Sequence, residues 1–421
     1  MDNTINITSA LPEMKAGNNL ATKLTMTPEY NPDIRNQSEA VRLMALSDLY
    51  KIYLPSQMSL EIYNKLYLAL LRSLQKKTTK IAIQQQNQNY KAIRQQEYNG
   101  ILGGSDSFTI IGTSGIGKSS AINRAIELIT VNGVIEVDQP YTKIIPCVIV
   151  QCPFDSSVKG LLLEILRKVD ECLDSKYYYN ALRARATTDM LIGSVSQIAL
   201  NHIGLLVVDE IQNVVNSKNG KSLVGCLTQL INNSGISICM VGTPESTRFF
   251  EQAMQLARRS LGLQYSNLEY NQYFYSFCKT LFSFQYVKNH TEITDGTIEW
   301  LYEHSSGVIS IVVSLIHDAQ EIAILNGRET LDLESLNEAY QQRLSMLHGY
   351  IQPSIKRIKQ TTTPKKKKIA SQVQLIKEKT CQNVQVIEDF SITEFATKAK
   401  TNNLDIVVLL KEYLPITGVK I

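Results

Sequence analysis

A scarcity of histidine and an odd cysteine count narrow the chemistry of this 421-residue chain before any motif is sought. Seven cysteines are present and none forms a Cys-x-x-Cys pair. With five histidines to supply further ligands, neither a disulfide framework nor a structural zinc site is expected. Cys147, Cys152, Cys226 and Cys239 sit in apolar runs and read as small buried hydrophobes. No uninterrupted apolar run approaches the ~18 residues of a membrane-crossing helix. The opening Met1-Asp2-Asn3-Thr4 lacks the basic-then-apolar layout of a secretory signal. No internal repeat is visible. These absences predict a reduced, cytoplasmic chain.

Hydrophobic residues make up 44% and charged residues 19%, so a sizeable core is available and wholesale disorder is excluded. At roughly 100–200 residues per domain, two or three structural units are expected. The net charge of +4 conceals an asymmetry. Residues 351–421 hold 13 Lys and Arg against 6 Asp and Glu, whereas 1–350 hold 30 against 33. A basic terminal sixth can attract an anionic polymer or an acidic partner.

Residues 1–40, rich in Pro, Asn, Thr and Ser, read as a mobile segment, extended until docked. A helical region follows over 41–100: Leu43, Leu46, Leu49 and Tyr50 recur at helical spacing, as do Leu60, Tyr63, Leu66, Leu70 and Leu74 after Pro55-Ser56. From Phe108 the period changes. Short β-rich runs at Phe108–Ile111, Ile144–Val150, Leu205–Val208 and Ile236–Val241 alternate with helical stretches at 119–131, 159–173 and 222–232. That alternation predicts an α/β fold, a parallel sheet with helices on both faces, over 101–285. An all-α lid is expected over 286–350, a basic linker over 351–371 and a partner-binding segment over 372–421.

Gly112-Thr113-Ser114-Gly115-Ile116-Gly117-Lys118-Ser119 matches G-x-x-x-x-G-K-[ST], with a strand before it and a helix, starting with Ser119-Ser120, after it. Such a loop turns its backbone N–H groups toward one point at a helix N-terminus, where phosphate binds. Lys118 reaches the β- and γ-phosphates and Ser119 holds Mg²⁺. Four apolar residues then lead to Asp209-Glu210. Asp209 suits the Mg²⁺ shell, and Glu210 suits the base that polarises an attacking water. The pattern specifies a nucleotide-triphosphate site. Thr243, in Val241-Gly242-Thr243-Pro244, stands at a strand tip between those acids and the γ-phosphate, or simply in a turn. Arg258-Arg259 is either a solvated pair or a charge aimed at the phosphoryl group of a neighbouring subunit.

Phosphate loop, third-strand acids, fourth-strand polar tip, downstream arginines and a helical lid together resemble the AAA+ ATPases. Pro153-Phe154-Asp155-Ser156-Ser157-Val158-Lys159-Gly160-Leu161, Val241-Gly242-Thr243-Pro244 and Ala257-Arg258-Arg259-Ser260 are similar to segments of the transposition regulators of Tn7-like elements, the TnsC/TniB family. The resemblance spans roughly residues 40–350. It implies ATP and Mg²⁺ as cofactors and a homo-oligomer, ring or filament, formed around duplex DNA. It also implies a matchmaker between a target-selection protein and the transposase, with ATP hydrolysis ending the assembly. Carried over by position, Lys159 and Thr188 touch the DNA backbone, with Arg183 and Arg185 in the same electrostatic role. Read alone, Lys159 is equally a solvated helix-start lysine. Contacts of this kind are sequence-tolerant and salt-sensitive. One departure stands out: the lid stretch Ser306-Gly307-Val308-Ile309-Ser310-Ile311 holds no basic residue where many AAA+ proteins place an arginine, which fits slow hydrolysis.

Other classes make different demands. A signalling or defence NTPase switch binds nucleotide and a protein partner without DNA. A replication initiator or helicase loader binds DNA selectively or depends on a helicase, and no winged-helix pattern follows residue 350. A small-molecule kinase needs an acceptor pocket for which the chain gives no sign.

Overall fold

A computed structural model of the chain describes residues 7–77, 107–138, 141–214, 220–247 and 262–348. The chain divides into two compact units, 1–356 and 357–421. The basic linker and the terminal segment expected after residue 350 lie outside the described residues, as do 78–106 and 248–261.

Six strands form one sheet in the order β2-β3-β4-β5-β1-β6. They are β1 (Phe108–Gly112), β2 (Ile135–Asp138), β3 (Tyr141–Gln151), β4 (Ile203–Asp209), β5 (Ser237–Gly242) and β6 (Leu263–Tyr265). All pairings are parallel except β2 with β3. The central strands are unbroken apolar runs because both faces are covered. Period-2 alternation divides their side chains. Ile111, Val148, Val150, Leu206, Val208, Ile238 and Met240 enter one cluster. Phe108, Ile110, Leu205, Val207, Cys239 and Val241 enter the other.

The first cluster is roofed by α5 (Val158–Leu173), α6 (Tyr177–Arg183), α7 (Thr188–His202) and α8 (Gly220–Ser234). The opposite face carries α3 (Gln57–Lys77) and α4 (Lys118–Ile129), together with α1 (Gly17–Leu24). Helix α3 ends in a buried amine: Lys77 donates to the carbonyls of Ala199 (3.1 Å) and Leu200 at the end of α7.

The lid is a third cluster, built from α9 (Gln272–Ser283), α10 (Asp295–Ser305), α11 (Ile309–Leu325) and α12 (Leu333–Arg343). Its packing begins with Phe274, earlier than the expected start at 286. Among the described residues no single helix is long and apolar enough to cross a membrane; α10 and α11 qualify only as a pair bent by 119°.

The beginning of the chain departs from expectation. Residues 7–36, read as extended until docked, are docked, because Leu20 and Leu24 stand one helical turn apart on α1 and are buried against α3 and α4. Each such burial contributes roughly 2 kcal/mol. The chain then crosses to the lid. Tyr30 Oη donates to Gln285 O at 2.6 Å, and Arg42 on α2 (Glu39–Ala45), 1% exposed, grips Glu329 with two bonds of 2.6 and 2.7 Å. Leu46, Leu49 and Ile52 fill the lid cluster. A two-way backbone bridge between Met26 and Tyr53 (2.8 and 2.7 Å) closes this strap, and α3 returns to the sheet.

Candidate nucleotide site

Parallel strands deliver their chemistry to one edge. β1 ends at Gly112, β4 at Asp209 and β5 at Gly242, so loops that are far apart in sequence meet beyond the carboxyl ends of the sheet. The phosphate loop leaves β1 and runs into α4, whose first residue is Lys118. Gly115 has φ +81°, and a Cβ there would fall 2.2 Å from Ser310 Oγ. Only glycine lets the loop pass this close to the lid. From the lid side, Ser310 N donates to Gly115 O at 3.0 Å, so the cation-free stretch Ser306–Ile311 lies directly on the loop.

Lys118 is nearly buried. Its Nζ donates to Gly112 O (2.7 Å) and Thr113 O (2.9 Å), the carbonyls at the mouth of the loop. Burial pushes its pKa down, while the Asp209 and Glu210 carboxylates pull it back. Ser119 Oγ donates to Asp209 Oδ2 at 2.9 Å, which brings together the two residues expected to hold Mg²⁺. Glu210 adopts φ +59°, a left-handed conformation that costs a non-glycine residue roughly 1–3 kcal/mol. The turn is held by Glu210 N donating to Asp209 Oδ1 at 2.8 Å.

Thr243 follows β5 at the same edge. Its Oγ1 and the nearby Ser246 Oγ are buried and make no hydrogen bond among the described residues. Such unsatisfied buried hydroxyls mark a polar spot beside the phosphate loop. Ser114, Ile116, Gly117, Ser120 and Gly242 complete the loop-side wall of a cavity of about 370 Å³. Apolar side chains also line it: Ile52 and Leu54 of the strap and Tyr273, Phe277, Ile309 and Val313 of the lid. A triphosphate suits the loop and the acids, and a flat heterocycle suits the apolar lining. These apolar residues carry no motif; only the fold assembles them.

The remaining expected residues are more scattered. Lys159 is exposed in the first turn of α5, whose N-cap Ser157 Oγ accepts from Gly160 N at 3.1 Å. Arg183 ends α6, Arg185 follows at φ +50°, and both are exposed. Thr188 opens α7 behind the Thr187 cap. Helix α7 ends where β4 begins and therefore starts near the carboxyl edge, from which α5 also departs. Phe154, between β3 and α5, is 91% exposed. Arg258 and Arg259 lie outside the described residues.

Sequence reasoning passed over Gln212. Its Nε2 donates to Glu210 Oε2, and its Oε1 accepts from Thr243 N at 3.3 Å. Its one sequence signal is its place two residues beyond an acid pair.

Fold likenesses are distant. The ORC1 protein of Aeropyrum pernix, solved in complex with DNA, shares 14% identity and a TM-score of 0.41 over 62% of this chain and 64% of its own. This chain thus spans less than two thirds of that protein. Drosophila ORC bound to DNA shares 13% identity over 99% of this chain and 87% of its own, at a TM-score of 0.43. Domain III of the Thermotoga maritima replication initiation protein DnaA shares 12% identity over 64% and 91%, at 0.35. No curated protein matches the sequence. Residues 104–267 do match a family model, described as bacterial TniB protein. The segment carrying the phosphate loop, both acids and Thr243 is therefore similar to the bacterial TniB protein family.

Proposed function

We propose that this chain is an ATP-dependent, DNA-binding regulator of transposition. It assembles with its own copies on duplex DNA and links a target-selection protein to the transposase, and hydrolysis ends the assembly. The observation that carries the nucleotide reading is the cluster of four residues at the sheet edge. Lys118 Nζ is held on loop carbonyls, Ser119 is bonded to Asp209, and Thr243 Oγ1 has no hydrogen-bond partner among the described residues. Each of these groups fits a triphosphate and its metal ion.

Mg²⁺, when bound, offsets charge on the phosphate oxygens. Ser119 and Asp209 are the residues that would hold it. The N–H groups at the start of α4 bind phosphate oxygens, and Lys118 exchanges carbonyl partners for them. A Glu210 carboxylate oxygen takes the proton of the attacking water. Thr243 orients the terminal phosphate. Arg258 or Arg259 acts on the site of an adjacent copy. The lid supplies shape and exclusion of water, but no charge, at Ser306–Ile311, which supports slow turnover. Lys159, Arg183, Arg185 and Thr188 bind the DNA backbone. A basic end after residue 350 adds non-specific attraction.

Electron microscopy of the purified chain with duplex DNA, with and without a slowly hydrolysed ATP analogue, tests this reading. Rings or filaments form only with nucleotide. Lys118→Ala abolishes them, whereas Glu210→Gln keeps them in ATP and slows phosphate release on the order of 100-fold or more. A chain that stays monomeric and leaves DNA mobility unchanged at low salt overturns the DNA reading in favour of a nucleotide switch acting on proteins.

A further inference from the structure

The turn after the acid pair is fixed on every side. Asn213 N donates to Glu210 O at 3.1 Å, and Asn213 Nδ2 donates to Cys152 O at 3.0 Å. Ser156 Oγ, fully buried, donates to Asn213 O at 2.9 Å. Gln212 sits within this frame and faces the cavity. The orientation of its amide is dictated by chemistry. Thr243 N is a donor, so the amide oxygen faces it, and the NH₂ is left for the Glu210 carboxylate. The strand tip comes close enough for this because position 242 is glycine. A Cβ there would fall 3.1 Å from Gln212 Oε1, 2.6 Å from Ile211 Cγ2 and 2.4 Å from Ser246 Oγ.

We infer that Gln212 is a positioning residue: it aims the Glu210 carboxylate and ties it to the end of β5, so that a shift of Thr243 is felt at the base. The inference rests on the reading of the site as an ATPase. Gln212 acts through Glu210, and three features support that role. Its two bonds join the groups expected to contact the water and the terminal phosphate. The backbone of its turn is anchored independently by Asn213, so the side chain is not needed to hold the loop. Glu210, held in a left-handed conformation, has a fixed backbone but needs a partner to fix its side chain.

Three variants test it, with phosphate release measured in steady state and in single turnover, and nucleotide affinity measured with a fluorescent ATP analogue. Gln212→Ala lowers kcat about ten- to hundredfold, the worth of one hydrogen bond to a charged group, and leaves KM and analogue affinity unchanged. Gln212→Glu, similar in shape but carrying a like charge in place of the donor, falls at least as far. Added to Glu210→Gln, Gln212→Ala causes no further loss, because it has no carboxylate left to aim. Wild-type kcat in Gln212→Ala overturns the inference. So does an equal loss in the Glu210→Gln background, and so does a parallel loss of nucleotide affinity that marks a structural role. If the wild-type chain itself releases no phosphate, the ATPase reading falls, and this inference with it.

Discussion

Two buried amines show how surroundings decide what a lysine does. The pKa of Lys118 is pushed down by burial, but the amine lies beside two carboxylates, Asp209 and Glu210, that oppose the effect. Among the described residues Lys77 bonds only the Ala199 and Leu200 carbonyls, and burial pushes its pKa down to about 7. Free lysine titrates near ~10.4. Between pH 7 and 10 the folded protein therefore binds fewer protons than the unfolded chain, and stability rises with pH across that window. Thermal melts from pH 7 to 10 should show Tm climbing. Lys77→Met, which removes the titrating group, should flatten that climb and raise Tm at pH 7. At this scale the phosphate loop and acid pair were legible because each is a contiguous string with its own chemistry. Gln212 was not: a glutamine acquires meaning only from the Thr243 N–H and the Glu210 carboxylate brought to it by another strand.

Among the elements, β1, β4 and β5 announced themselves as apolar runs because both their faces are covered. The edge strands did not. β2 has four residues and β6 three, too short for a period to emerge. Helix α7 was missed because its open stripe, Met190, Gly193, Ser194 and Gln197, carries no charged residue to set it off from the buried face of Leu191, Ile192, Val195, Ile198 and Ala199. The docking of α1 was illegible for another reason: Leu20 and Leu24 gain their partners from α3 and α4, far along the chain. The strap's hold on the lid makes a sharp prediction. The Arg42 guanidinium holds the Glu329 carboxyl below the usual range, and the pair is largely out of water. Arg42→Met leaves the Glu329 carboxylate with only the exposed Lys288 amine and backbone N–H among its described partners. It should cost about 2–3 kcal/mol, below the range for a fully stranded buried charge, read as a fall in the denaturant midpoint. Arg42→Met combined with Glu329→Leu should recover much of the loss, since an apolar pair has no charge to strand.

For the molecule as a whole, charge is the coarse guide. The net positive charge comes from residues 351–421, while the proposed backbone contacts, Lys159, Arg183 and Arg185, lie within the acidic remainder. Attraction at a distance and grip at close range would then belong to different parts of the chain. Lys159→Glu should weaken binding of random-sequence duplexes uniformly and lower the slope of log affinity against log salt by about one for each phosphate no longer neutralised. ATP-analogue affinity should be unaffected. Fluorescence anisotropy across a salt series reads both effects, and an unchanged slope would return Lys159 to the status of a solvated lysine.

The strap that runs from α1 to α3 supplies Ile52 and Leu54 to the cavity and packs on both the sheet and the lid. One stretch of backbone thus serves as the floor under the ligand and as the mortar between two masonry blocks. Linkage makes the consequence reciprocal. Whatever neighbour favours one setting of those blocks must alter the hold on the ligand by the same factor by which the ligand alters the hold on that neighbour.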